Sequence, residues 1–150
     1  MHRHAALHSL TVTARWLPVV AAVLGTSCAG GLNHVEGKVL YKGGPARGAI
    51  ITFHPKAEDT LTTPRPSGVV RDDGTFTLST RHPNDGAAAG EYLVTIVWPE
   101  DPRPARPTFS TAPPPDPPDR LKGRYADRTR SGLTAVVKSG SNQLPPFEVK

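Results

Sequence analysis

A single cysteine, Cys28, stands in a chain of 150 residues, so no intramolecular disulfide can brace the fold. Aromatic residues are scarce at 6%, which limits the chain to a modest core. No apolar run approaches the roughly 20 residues that a membrane-spanning helix needs. The longest, WLPVVAAVLG at residues 16–25, has ten. Neither charge sign dominates strongly: 18 basic against 13 acidic residues give a formal +5. Arg3 and Arg15 lie in a segment expected to be removed, which leaves 18 − 2 = 16 basic residues, or +3. So small a balance concerns solubility and gives no footing for a nucleic-acid partner.

Catalytic signatures are also missing. No Gly-x-Ser-x-Gly elbow is present. Gly43-Gly44 precedes Pro45 rather than a helix, so it is no phosphate loop. His34, His54 and His82 are too far apart for a zinc-binding spacing, and surface histidines are the plainer reading. No metal and no cofactor is therefore expected. What the chain has in abundance is proline, at 17, and glycine, at 14. That composition suits many turns and short strands, in one domain by length.

The first residues read as an export leader. His2, Arg3, His4, His8 and Arg15 form a basic, acid-free start, and the ten-residue apolar run is the right length for a secretory h-region. LGTSC at 24–28 resembles a bacterial lipobox, with Leu24 one place further from the cysteine than is usual and Gly25 in its stead. The resemblance implies cleavage before Cys28, a diacylglycerol on its sulfur, and membrane attachment through that lipid. Ordinary signal cleavage, after Ala29, is the alternative. Both readings export the protein. On the first, residues 1–27 are the signal peptide and 28–33 a short tether to a lipoprotein body facing the periplasm or the cell surface.

From residue 34 onward the pattern is strand and turn. Val35, Gly37 and Val39 alternate with Glu36, Lys38 and Leu40, and Ala49, Ile51 and Phe53 with Ile50, Thr52 and His54. His54-Pro55 closes the second strand. GVVRDDGTFTLST at 68–80 predicts a hairpin about a two-residue type I′ turn at Asp73-Gly74, with Phe76 and Leu78 on one face. A calcium loop at Asp72-Asp73-Gly74 lacks the later oxygen ligands and the closing Glu. EYLVTIVW at 91–98 is apolar on both faces and predicts a central strand. Nine prolines in 99–118 predict an extended exposed loop, placed at 99–120. LKGRYADRTR at 121–130 has at most one helical turn. Leu133, Ala135 and Val137 predict a late strand, and Pro145-Pro146 delay a last one with Phe147 and Val149 inward. Seven short strands with regular turns predict an all-β fold, an Ig-like or prealbumin-like β-sandwich over 34–150.

Four segments carry a family resemblance: VEGKVLYKGGPARGAIITFHP, GVVRDDGTFTL, AAAGEYLVTIVWP and RYADRTRSGLTAVVKSG. They resemble the carboxypeptidase regulatory-like, or transthyretin-like, domains, and the last resembles the tail of bacterial lipoproteins of that family. The resemblance implies a seven-stranded prealbumin-like sandwich without enzymatic activity. Hydroxyisourate hydrolase, the enzyme of that superfamily, ends in Tyr-Arg-Gly-Ser, whereas this chain ends Phe147-Glu148-Val149-Lys150.

Three functions are weighed. The preferred one is a non-catalytic binding or structural module for protein or polysaccharide partners, held on the membrane through Cys28. The second is a periplasmic enzyme acting on glycan through two carboxylates, for which Glu91, Glu100, Asp101, Asp116 and Asp119 qualify only by type. The third is a small-ligand carrier with an apolar pocket. Arg120, Lys122, Arg124, Arg128 and Arg130 around Tyr125 are read as a solvated loop, with anionic lipid or acidic polysaccharide as the functional alternative.

Overall fold

In a computed structural model, residues 31–57, 60–100 and 117–150 are described. The expected leader, Cys28 and most of the proline-rich segment lie outside the described residues. Nine strands form two sheets, with no helix among the described residues. They are β1 (Val35–Tyr41), β2 (Gly44–Pro45), β3 (Ile50–Pro55), β4 (Ser67–Val69), β5 (Thr75–Thr77), β6 (Gly90–Val97), β7 (Leu133–Val137), β8 (Asn142–Gln143) and β9 (Phe147–Val149).

The first sheet is built around β1. One side of β1 takes β5 and then β2, both antiparallel. Its other side takes β8 and then β9, both parallel, so these two act as one strand interrupted at Leu144-Pro145-Pro146. The prolines lack the N–H that an unbroken ladder needs. The second sheet runs β4-β3-β6-β7, antiparallel throughout. β6 is central there, as its two apolar faces predict: Tyr92, Val94 and Ile96 are buried, and Thr95 on the opposite face is nearly so.

The 68–80 stretch folds back where expected but is not a hairpin within one sheet. β4 pairs with β3, whereas β5 pairs with β1. Val70 still bonds to Ala49 in the second sheet, and Thr75 already faces Lys38 in the first. Between them the chain crosses from one sheet to the other. Away from the loop itself, Ser67 and Ser79 tie the two arms through reciprocal backbone bonds of 2.9 and 2.8 Å, and the Arg71 guanidinium reaches the Thr77 hydroxyl at 2.8 Å. The reversal is also a different turn. Gly74 N–H reaches Arg71 C=O, Arg71 N–H reaches Thr75 C=O, and among Asp72, Asp73 and Gly74 only Gly74 has positive φ, at 83°. That is a three-residue loop, a type I turn followed by a left-handed glycine. The type I′ turn falls instead at Lys42-Gly43, where φ is 49° and 83°, linking β1 to β2. Turn chemistry fixes a local reversal, but it does not choose which sheet each arm joins.

The 121–130 segment forms successive turns rather than a helical turn, with i to i+3 bonds from Arg124 to Leu121 and from Ala126 to Gly123. It continues the sheet in another way. Beyond Leu133, the last partner of Val94, β6 bonds to this segment through Ile96 N–H to Tyr125 C=O and through the Ser131 hydroxyl to Val94 C=O.

One core joins the sheets. Val35, Val39, Phe76, Phe147 and Val149 face it from the first, and Ile51, Phe53, Tyr92, Val94, Ile96, Ala135 and Val137 from the second. Phe53 stands at the junction, fully buried, with its ring 5.5 Å from Tyr92 and 6.5 and 6.3 Å from Phe76 and Phe147 across the gap. Truncating so large a buried ring removes both its transfer free energy and the contacts of the rings left around a cavity. Phe53→Ala is expected to lower stability by about 3–5 kcal/mol in urea unfolding. Where β4 crosses β5, the sheets approach so closely that a Cβ on Gly68 would meet Thr77 C=O at 2.6 Å. Gly68→Ala is expected to cost about 1–3 kcal/mol in the same assay, although it adds only one methyl group.

Candidate functional site

The strands give the body two ends. β1 begins at Val35, beside the point where the described chain starts, and its seven residues run about 20 Å to Tyr41. The starting end gathers residues 31–34, the loop after β3, residues 79–90 and residues 138–142. The opposite end gathers the Lys42-Gly43 turn, residues 46–48, the Asp72-Asp73-Gly74 loop, Trp98 and residues 119–124.

At the starting end a cavity of about 670 Å³ opens to solvent between Leu32, Pro55, Pro64, Pro66, Ala88 and Tyr92, among other residues. Its volume is in the range of small-molecule sites. Apart from the Arg81 guanidinium, the charged and aromatic polar groups in and beside it are already engaged. Tyr92 hydroxyl donates to Ala88 C=O at 2.8 Å, and burial raises its pKa. Glu91 is paired with Lys56 at 3.0 Å. The Asp85 carboxylate accepts the backbone N–H groups of Thr80, Arg81 and His82, led by Thr80, which hold its pKa down.

The opposite end carries an aromatic pair flanked by cations. Trp98 and Tyr41 meet edge-to-face, 5.4 Å between centroids at 71°. Trp98 is held firmly: its indole N–H donates to Arg47 C=O, its backbone N–H to an Asp119 carboxylate oxygen, and its carbonyl accepts Arg120 N–H, each at 2.8 Å. The Arg120 guanidinium lies 5.0 Å from the Trp98 ring centroid, and the Lys42 ammonium 5.2 Å from that of Tyr41. The nearby acids are already engaged. Asp119 also accepts Leu121 and Gly123 N–H, Asp72 pairs with Arg47 at 2.7 Å, and Asp73 takes the Thr75 hydroxyl and N–H, which lower its pKa. The result is a cationic, partly aromatic surface set by backbone bonds.

The basic stretch expected around Tyr125 is rearranged. Tyr125 is buried at 8% exposure, and its hydroxyl accepts Lys150 N–H. Arg124 lies 5.6 Å from its ring, and Arg130 pairs with Asp127, whose carboxyl is held low chiefly by the Thr129 hydroxyl. The aromatic partners of Arg120 and Lys42 are instead Trp98 and Tyr41, both half-buried against the edge of the core. Alternation assigns Trp98 to the inward face of its strand, and nothing in sequence pairs it with Tyr41, 57 residues away.

The carboxylates considered for catalysis do not converge. Glu91 and Asp119 stand at opposite ends of β6, Glu100 pairs by backbone with Pro118, and Asp101 and Asp116 lie outside the described residues. Among the described residues, no three His, Cys, Asp or Glu side chains gather in a way that would hold a metal. His34 lies beside Glu36 at 3.7 Å, His82 is in the 80–85 loop, and His54 is on the outer face of the second sheet.

His54 has the most constrained setting of the three. Its Nε2 is 3.0 Å from the Thr95 hydroxyl, while Nδ1 is sealed from solvent with no hydrogen-bond partner among the described residues. A neutral ring with its proton on Nε2 leaves Nδ1 as a bare lone pair. Protonating Nδ1 would bury an unsatisfied donor. Desolvation first, and then the charges of Arg65 and Arg128, push its pKa below the usual histidine value. The unfolded chain therefore binds a proton on His54 more readily than the folded one. Stability from this group is complete above the ordinary histidine pKa and falls as pH drops below it, towards the depressed folded value. His54→Gln, which keeps a donor for Thr95, is expected to reduce the loss of stability between pH 7.5 and 5.5. Urea unfolding at the two pH values checks it.

No protein-family model matches the chain, and no curated protein matches it.

Proposed function

We propose that the chain is an exported, non-catalytic module anchored through a lipid on Cys28, whose far end binds an acidic polysaccharide of the cell envelope. The observation that carries this reading is the Tyr41–Trp98 pair with Arg120 and Lys42 set over its rings, at the end of β1 remote from where the described chain starts. Aromatic faces pack against the apolar faces of sugar rings, and the flanking cations meet carboxylates or sulfates. Asp72 is offset by Arg47, and Lys42, Arg120, Lys122 and Arg124 outnumber Asp73 and Asp119 at this end, which leaves that surface positive.

The body is read as a transthyretin-like, seven-stranded sandwich. In support, seven of the nine strands have three or more residues, and the two-residue β2 and β8 extend neighbouring strands of the first sheet. The quoted motifs fall on β1 to β3, on the crossing between the sheets, on β6 and on β7. The non-catalytic reading draws support from Glu91 and Asp119, each committed to a structural partner and far from the other. Proteins are the second partner class, contacted through the same patch.

The test uses the mature protein released from cells expressing the full chain. Its N-terminal peptide, by mass spectrometry, is expected to begin with acylated Cys28. Binding to polygalacturonate is expected to weaken with salt and to be absent for neutral dextran. Arg120→Gln and Trp98→Ala are each expected to weaken it about fivefold, near 1 kcal/mol. Equal binding by the two variants and the parent, or retention of neutral dextran alone, would overturn the assignment.

A further inference from the structure

We propose that the starting end of the body seats on an anionic bilayer surface, with the Leu61 side chain as the group that enters the headgroup layer. This rests on the reading of Cys28 as the lipid anchor. The described chain starts at Gly31, three residues after Cys28, and three extended residues reach at most about 11 Å. A body tied that closely must present this end to the bilayer.

The surface at this end suits the contact. Leu61 is the most exposed apolar side chain described, at 101%, and sits at the apex of a turn closed by Thr63 N–H to Thr60 C=O. The hydroxyls of Thr60, Thr62 and Thr63 bond to one another around it, so the tip is ordered while the leucine stands clear. Thr63 and Pro64 share the cavity wall with Gly31 and Leu32, which places the tip beside the tether, and Leu32 is itself exposed. An isolated exposed leucine is ordinary on a protein surface. One held at a turn apex, within a tether's length of an acyl anchor, has an apolar phase within reach.

Charge favours an anionic surface. Arg81 and Lys138 at this end are exposed and make no ion pair among the described residues. Glu91 is neutralised by Lys56, and the Asp85 carboxylate, held by three backbone N–H groups, is outnumbered by Arg81 and Lys138. Glu58 and Asp59 of the same loop lie outside the described residues.

The experiment reconstitutes the mature acylated chain into phosphatidylcholine vesicles with and without phosphatidylglycerol, using bromine-labelled acyl chains as quencher. Leu61→Trp is expected to show blue-shifted emission and about twofold quenching in anionic vesicles, as an apolar side chain at the headgroup boundary should. Native Trp98 in the parent protein, and Lys42→Trp at the remote turn, should show neither. Arg81→Glu with Lys138→Glu should reduce the Leu61→Trp quenching. An acylated Cys28 with Leu61→Trp unquenched, or quenched no more than Lys42→Trp, overturns the seating while the anchor stands. A Cys28 without lipid overturns both.

Discussion

Four rings hold the two sheets together. Phe53 projects from β3 into a space bounded by Phe76 and Phe147 of the other sheet and Tyr92 of its own. In a chain with so few aromatics, most of those described are spent on this one contact. It also dictates small neighbours. A Cβ on Gly37 of β1 would come within 2.9 Å of the Phe76 ring, so the tip of that ring has room over β1 because the position is glycine. Gly68 plays the same part where β4 passes the backbone of β5. At Gly68 the close approach of the sheets meets one requirement: backbones near enough for a thin core to fill the gap without voids.

Much of this could be read from side-chain alternation. Val35, Val39, Ile51, Phe53, Phe76, Tyr92, Val94, Val137, Phe147 and Val149 are inward by period two and buried in the fold. The centrality of β6 followed from its two apolar faces. Pairing was less legible. The chain switches sheets between Val70 and Thr75, yet the residues there describe only a reversal, because alternation records which way side chains face and not which backbone lies alongside. A turn at Gly43-Gly44-Pro45 is legible from its glycines and proline, but its type I′ centre lies one residue earlier, on Lys42-Gly43, because Lys42 adopts a left-handed conformation uncommon for a residue with a side chain.

The far-end surface was hidden for a related reason. Arg120 was visible as part of a basic run, but its aromatic partner in the fold is Trp98, brought near by the Pro99–Asp119 bridge that closes the proline-rich segment. Tyr125, which the sequence places among the arginines, is instead drawn into the core because β6 needs a partner for Ile96 N–H beyond the end of β7. Backbone hydrogen-bond demand thus placed two aromatics differently, Tyr125 in the core and Trp98 half-buried at its edge. The ends of the body consequently differ in character: ordered threonines and a bare leucine near the tether, and rings under guanidinium and ammonium groups at the other.

A shared core makes the sheets one cooperative unit. Native-state hydrogen exchange on the amides of β1 and β6 tests this directly, since these are the central strands of the two sheets. Joined through the ring cluster, their slowest amides should open with the same free energy, within about 0.5 kcal/mol, and should shift together when denaturant is added. Two separate opening free energies, with β6 protected after β1 has exchanged, would contradict a single core.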